Sequence, residues 1–225
     1  MEIKIRSGLK SKKIDIEKSI LSIQDSDDDT INNLREDYEV VVIDNLDDYF
    51  IGKTVIDEIT LYSKYPELTI VSDVMQLLGL SREFFDKKVR DLSRTEKIYL
   101  NLLRNIAKID EIVLFLDVYL GLDQSNRKKL KSVLNYLKAS HLVIICSSDV
   151  NDLYDLADYS IIANKTSLKY SATDDIYTDV STLLKYKLDV PTLPYITYKA
   201  KEEKNVKLFY SKDVRDIIKD IYKHV

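Results

Sequence analysis

"LSRTEKIYLNLLRNIAKIDEIVLFLDVYLGLD" (residues 92–123) holds a helix start, a helix, a strand and a turn in one run. Ser93 has a hydroxyl that can accept from the first free amides of a helix. The helix is expected to run to about Lys108, with Ile98, Leu102, Leu103, Ile106 and Ala107 forming its apolar stripe. "IVLFLD" (112–117) then has the length and apolar content of a strand buried on both faces, and "GLD" (121–123) turns the chain.

Working outward, Asn126 to Ala139 reads as amphipathic helix, "HLVIICS" (141–147) as a strand, Asp149 to Leu156 as helix and "YSIIAN" (159–164) as a strand. Upstream, "EIKI" (2–5), "ILSI" (20–23) and "YEVVVID" (38–44) are strand-like, the last a buried strand, with a few helix-compatible residues from Ile31 to Leu34. Residues 54–88 read as short amphipathic helices with loops. The tail carries a helix around 174–186, a punctuated stretch "LDVPTLPY" (188–195) and a last helix near 211–223. Strands alternating with helices predict an α/β fold with a largely parallel sheet covered on both faces.

Composition narrows the function classes. The 225 residues suit one α/β domain with a modest appendage. A net charge of −4 supplies no general attraction to nucleic acid, so no nucleic-acid partner is expected. No apolar run reaches the length of a membrane span, and Met1 is not followed by a secretory pattern, so a cytoplasmic location is expected. The single cysteine, Cys146, sits in an apolar run and reads as a buried thiol; it excludes an internal disulfide and a cysteine-based metal site. Between Asp25 and Asp48 the chain has many carboxylates and one base, Arg35.

The run 92–123 is similar to the signature helix, Walker B strand and D-loop of the ABC ATPases, which read "LSGGE", a helix, "LLLLDEP" and "GLD". Leu92, Ser93, Glu96, Asp117, Gly121, Leu122 and Asp123 fall on those positions. "LVIICSSD" (142–149) occupies the place of the switch strand. "VVIDNLDDYFIGKTVIDEI" (41–59) resembles the Q-loop passage of the energy-coupling-factor (ECF), or cobalt-type, ATPases, and "DDIYTDVSTLLKYKLDVPTLPYI" (174–196) resembles their C-terminal segment. The resemblance implies a P-loop NTPase-like fold in residues 1–165, a helical signature subdomain at about 54–108, and a small C-terminal α+β appendage in 166–225.

Against that family pattern, the positions that handle nucleotide have changed. A P-loop needs glycines, whose amides close on phosphate oxygens, and a lysine. Here "ILSI" leads into Gln24, Asp25, Ser26, Asp27, Asp28, Asp29 and Thr30, with neither. Asp117 keeps the family's Mg²⁺-holding position, but Val118 stands where the family has the glutamate that polarises water, and a valine accepts no proton. Ser148 replaces the switch histidine, Asp44 the Q-loop glutamine, and Arg94 and Thr95 the two signature glycines. Losing base, cradle and switch together removes what phosphoryl transfer requires.

These readings predict a non-catalytic ATPase-like subunit, with no cofactor and no metal, paired with an intact ABC ATPase and docked on a transmembrane coupling subunit at the inner face of the cell membrane. ATP and Mg²⁺ enter only under the alternative of a weak ATPase; a free-standing adaptor or immunity-type protein is a third reading. Tyr49, Phe50 and Ile51, three bulky residues in the Q-loop passage, are the candidate docking surface, with coverage of the chain's own core as the competing role. "IGKT" (51–54) has the end of a P-loop but Asp47 where its first glycine belongs, and is read as Q-loop. Asp25, Asp27, Asp29 and Glu36 have the spacing of a calcium loop, but Thr30 stands at its obligatory glycine. His141 and His224 read as solvent-facing.

Overall fold

The computed structural model describes residues 2–8, 10–16, 18–25, 29–44, 49–61, 68–109, 111–164, 167–204, 206 and 208–223. Two antiparallel strands, β1 (Glu2–Ser7) and β2 (Lys10–Asp15), form a hairpin. The main sheet has six strands in the order β4-β5-β6-β3-β7-β8: β3 (Ile20–Asp25), β4 (Val40–Asp44), β5 (Ile112–Leu116), β6 (Leu142–Cys146), β7 (Tyr159–Asn164) and β8 (Ser167–Ala172). All pairings are parallel except β7 with β8.

Strand β5 shows why the sheet forms. Its residues alternate between two cores: Ile112 and Leu114 pack toward β1, β2 and the helix α1 (Asp29–Asp37), while Val113 and Phe115 pack toward the helices on the other face. Burying both faces explains the unbroken apolar run, and each side chain so covered contributes about 1.5–3 kcal/mol of transfer free energy. Strand β4 is an edge strand paired with β5, and its residues other than the buried Ile43 are half-buried rather than fully buried as the run "VVVID" suggests.

The helical face carries α2 (Val55–Leu61), α3 (Leu68–Leu78), two 3-10 turns (Arg82–Asp86 and Val89–Asp91), α4 (Arg94–Ile106), α5 (Gln124–Leu137) and α6 (Val150–Leu156). Helix α4 begins at the Ser93 cap expected, the Ser93 hydroxyl accepting from Glu96 N–H; beyond that reading, the Glu96 carboxylate accepts from Ser93 N–H at 2.9 Å and completes a capping box. It departs from a one-stripe helix, because every residue from Ile98 to Ile106 is buried. Asn101, Arg104 and Asn105 therefore lie inside the protein.

The tail differs from the sequence reading in three places. A strand, β8, extends the main sheet through a hairpin from β7, so the sheet continues past residue 165. The helix expected at 174–186 is two helices, α7 (Thr173–Tyr177) and α8 (Val180–Lys185), the second capped by Asp179 accepting from Thr182 N–H. Helix α9 (Thr192–Lys204) starts inside the stretch expected to be punctuated; Pro194 lies in its first turn, where the amide it lacks has no intrahelical partner. Helix α10 (Val214–Ile221) ends the fold. Among the described residues no helix is long and apolar enough to cross a membrane.

Candidate functional site

The carboxyl ends of β3, β4, β5 and β6 open on a cavity of about 450 Å³, where ligands of open α/β sheets bind. Gln24, Asp44, Asp117 and Ser148 line it from the strand ends, and Leu188 and Asp189 from the segment after α8. Asp117 follows β5 in a left-handed conformation, φ 45°, that aspartate tolerates better than most residues. Its N–H donates to Cys146 O at 2.9 Å, and its Oδ1 accepts from Ser148 N–H at 2.7 Å and Ser148 Oγ at 2.8 Å. The Walker B and switch positions, 31 residues apart, thus meet in one hydrogen-bonded corner.

Val118 is elsewhere. Its side chain is 0% exposed and belongs to the core on the helical face, so the residue after Asp117 points away from the cavity. Asp44 ends β4 and lines the cavity, its carbonyl accepting from Asn101 Nδ2 at 2.6 Å. Asp25 closes β3, Asp29 opens α1 and Thr30 is buried within it; Asp27 and Asp28 lie outside the described residues. Because Asp29 to Glu36 is helical, the calcium-loop spacing does not correspond to a loop.

Among the described residues the lining of this cavity is acidic. Asp44, Asp117 and Asp189 face the cavity and Lys187 is the cation that the lining residues set against them. Two like charges about 4 Å apart repel by roughly 1 kcal/mol in water and by several times that when desolvated. The run from Gln24 to Thr30 offers no glycine amides and no lysine in compensation.

The signature and D-loop positions come together on another surface. Gly121 is left-handed, φ 78°, and a Cβ on it would lie 3.2 Å from Ile98 Cδ1 and 3.4 Å from an Arg94 guanidinium nitrogen, so Arg94 reaches across α4 to the D-loop. Leu122 is buried, and Asp123 caps α5 by accepting from Asn126 N–H at 2.8 Å. Tyr99 of α4 donates to Asn126 Oδ1 at 2.6 Å. Leu92 is buried just before the Ser93 cap, and Thr95 lies half-buried in the first turn. Lys87, 2.6 Å from Glu96, holds that carboxyl down to about 2, with the Ser93 bonds adding to the effect.

The Q-loop passage divides the three candidate docking residues. Tyr49 is 71% and Ile51 63% exposed, whereas Phe50 packs against the core. Phe50 thus covers the chain's own core, while Tyr49 and Ile51 are exposed. Beneath them is a buried ion pair: Arg104 Nη1 lies 2.8 Å from Glu58 Oε1, with side chains 5% and 0% exposed. Gly52 is required by close approach, since a Cβ there would come within 2.5 Å of Glu58 N. This explains the glycine of "IGKT" without any phosphate.

Sequence reasoning did not single out Glu58, Arg104 or Asn101. The available signal was polar residues within the apolar spacing of α4, with an acid in "TVIDEI" to match. A second buried acid, Asp152, was also missed; it accepts from Arg127 Nη1 and Ser147 Oγ, both at 3.2 Å, and burial pushes its carboxyl up.

Comparison with known proteins bears on the fold and on the sequence resemblance. No family model matches the chain. It is 26% identical over 122 residues to the energy-coupling factor transporter ATP-binding protein EcfA2 of Lactobacillus johnsonii, a match covering 53% of this chain and 42% of that protein. It is 25% identical over 129 residues to the protein of the same name from Caldanaerobacter subterraneus, covering 55% of this chain and 44% of that one. The matches thus span less than half the length of these relatives. The structure of CbiO1 from Clostridium perfringens, part of the ABC transporter complex CbiONQ, superposes with a TM-score of 0.62 at 12% identity, over 85% of this chain and 92% of that one. The chain therefore has the P-loop NTPase-like fold of the ABC ATPases, and in sequence it resembles the ATP-binding proteins of ECF transporters.

Proposed function

We propose that this chain is a non-catalytic ABC ATPase-like subunit of an ECF-type importer of a vitamin or a metal, paired with an intact ATPase subunit at the inner face of the cell membrane. The observation that carries the reading is the acidic cavity at the carboxyl ends of the strands, where Asp44, Asp117 and Asp189 stand and the glycines and lysine of a phosphate cradle do not. The exposed Tyr49 and Ile51 are where a transmembrane coupling subunit docks. Arg94 and the D-loop residues Gly121 to Asp123 form a surface offered to the partner ATPase.

Thermal unfolding of the purified chain with and without millimolar ATP and Mg²⁺ tests this directly. A ligand at 100 times its Kd adds about 2.7 kcal/mol to stability, an easily measured shift, and none is expected. ATP turnover above a contaminant control that disappears in Asp117→Asn overturns the reading in favour of a weak ATPase.

A further inference from the structure

The Glu58–Arg104 pair touches neither the cavity nor the D-loop, yet it holds four consecutive residues of another segment. Glu58 Oε2 accepts from Ile51 N–H at 2.8 Å and from Gly52 N–H at 2.6 Å. Arg104 Nη1 donates to Tyr49 O at 2.7 Å, and its guanidinium lies over the Phe50 ring, 4.7 Å from the centroid. Asn101 Oδ1 accepts from Arg104 Nε at 3.0 Å, which fixes the plane of the fork. Gly52 then presses its Cα face against the Glu58 backbone, where no Cβ has room.

We propose that Glu58 and Arg104 are positioning residues that set the backbone of residues 49–52 in advance, turning Phe50 inward and presenting Tyr49 and Ile51 as a preformed docking knob. This rests on the reading of that segment as a docking loop. The physical argument is one of alternatives. A buried ion pair adds little to stability compared with apolar residues of the same volume, so its remaining effect is to select one arrangement of the groups around it. Among the described residues those groups include two main-chain amides, one carbonyl and one ring from the loop, beside the Asn101 side chain of α4. A loop ordered beforehand docks without the entropy of immobilising it on contact.

Hydrogen exchange of the full-length chain without any partner is the test. In the double variant Glu58→Leu/Arg104→Met, the Ile51 and Gly52 amides are expected to exchange roughly tenfold faster or more, as loss of a hydrogen bond to a charged acceptor implies. Exchange in β5 and β6 should not change. If the double variant does not fold, Glu58→Met keeps the side-chain length but offers no oxygen to either amide, and the same two amides are read. Unchanged protection of both amides, in whichever variant is read, overturns the proposal. Because the readout needs no partner, it is separate from the docking reading, which fails instead if Tyr49→Ala/Ile51→Ala leaves capture of the membrane subunit intact.

Discussion

At the scale of single residues, Val118 separates loss of chemistry from gain of packing. Its side chain lies in the core with Phe115, Tyr119 and Leu122, not in the cavity with Asp117. Val118→Glu therefore does not return a base to the site; it places a carboxylate among apolar groups with no partner charge. A cost of about 3 kcal/mol or more is expected in urea unfolding, with no gain of ATP turnover over the parent. A variant within about 1 kcal/mol of the parent would show that position 118 can swing to the cavity. Asp117→Asn, by contrast, leaves an acceptor for both Ser148 donors.

At the scale of elements, α4 is the helix on which the molecule is organised, and its start is sensitive to pH. Glu96 joins three things: the Ser93 cap, the helix start and Lys87 at the end of the first 3-10 turn, Arg82–Asp86. Its carboxyl is held at about 2 against an ordinary 4.5. A depressed carboxyl contributes stability that is fully present above the unfolded value and is lost as pH falls toward the folded one. Glu96→Gln should thus lower stability by about 1 kcal/mol at pH 7, and the gap to the parent should close between pH 4.5 and about pH 2. A gap that stays constant through that window would mean that the ion pair with Lys87 contributes nothing.

The same helix shows what sequence could carry. The cap was legible because Ser93 stands just before an apolar stripe of helical spacing, and the strand β5 because five apolar residues in a row admit few other readings; the reciprocal bond from Glu96 was not read. Burial of Arg104 was not legible: its partner lies 46 residues away, and only the fold brings them together. Strands β2 and β8 were missed for a related reason. "KSKKID" and "SLKYSA" bury few side chains, so alternation gives little signal, and their pairing is made by β1 and β7. The cavity's acidity was readable from Asp44 and Asp117, whereas Asp189 joins it through a turn after α8 that periodicity does not encode.

At the scale of the whole molecule, the two groups of family positions lie on different surfaces. Among the described residues the cavity is lined by Asp44, Asp117 and Asp189 with Lys187, while Arg94 lies beside the D-loop glycine away from it. Helix α10 adds an apolar stripe in Val214, Ile218 and Tyr222, four residues apart, with Phe209 and Tyr222 each 77% exposed. Two identical chains would gain nothing from nucleotide, so a mixed dimer with an intact ATPase is expected in sedimentation, tightening with ATP. A stable homodimer that ignores ATP, with no mixed species, would rule this out.

Cys146 ends β6 at the floor of the cavity, 8% exposed, and it is the chain's one sulfhydryl. The protein thus contains its own gauge of how often the cavity floor opens: the rate at which a small alkylating reagent labels the native chain measures that opening at a single atom. No engineered probe is needed, and anything that settles over the floor, whether a partner's loop or an ion, will register as slower labelling.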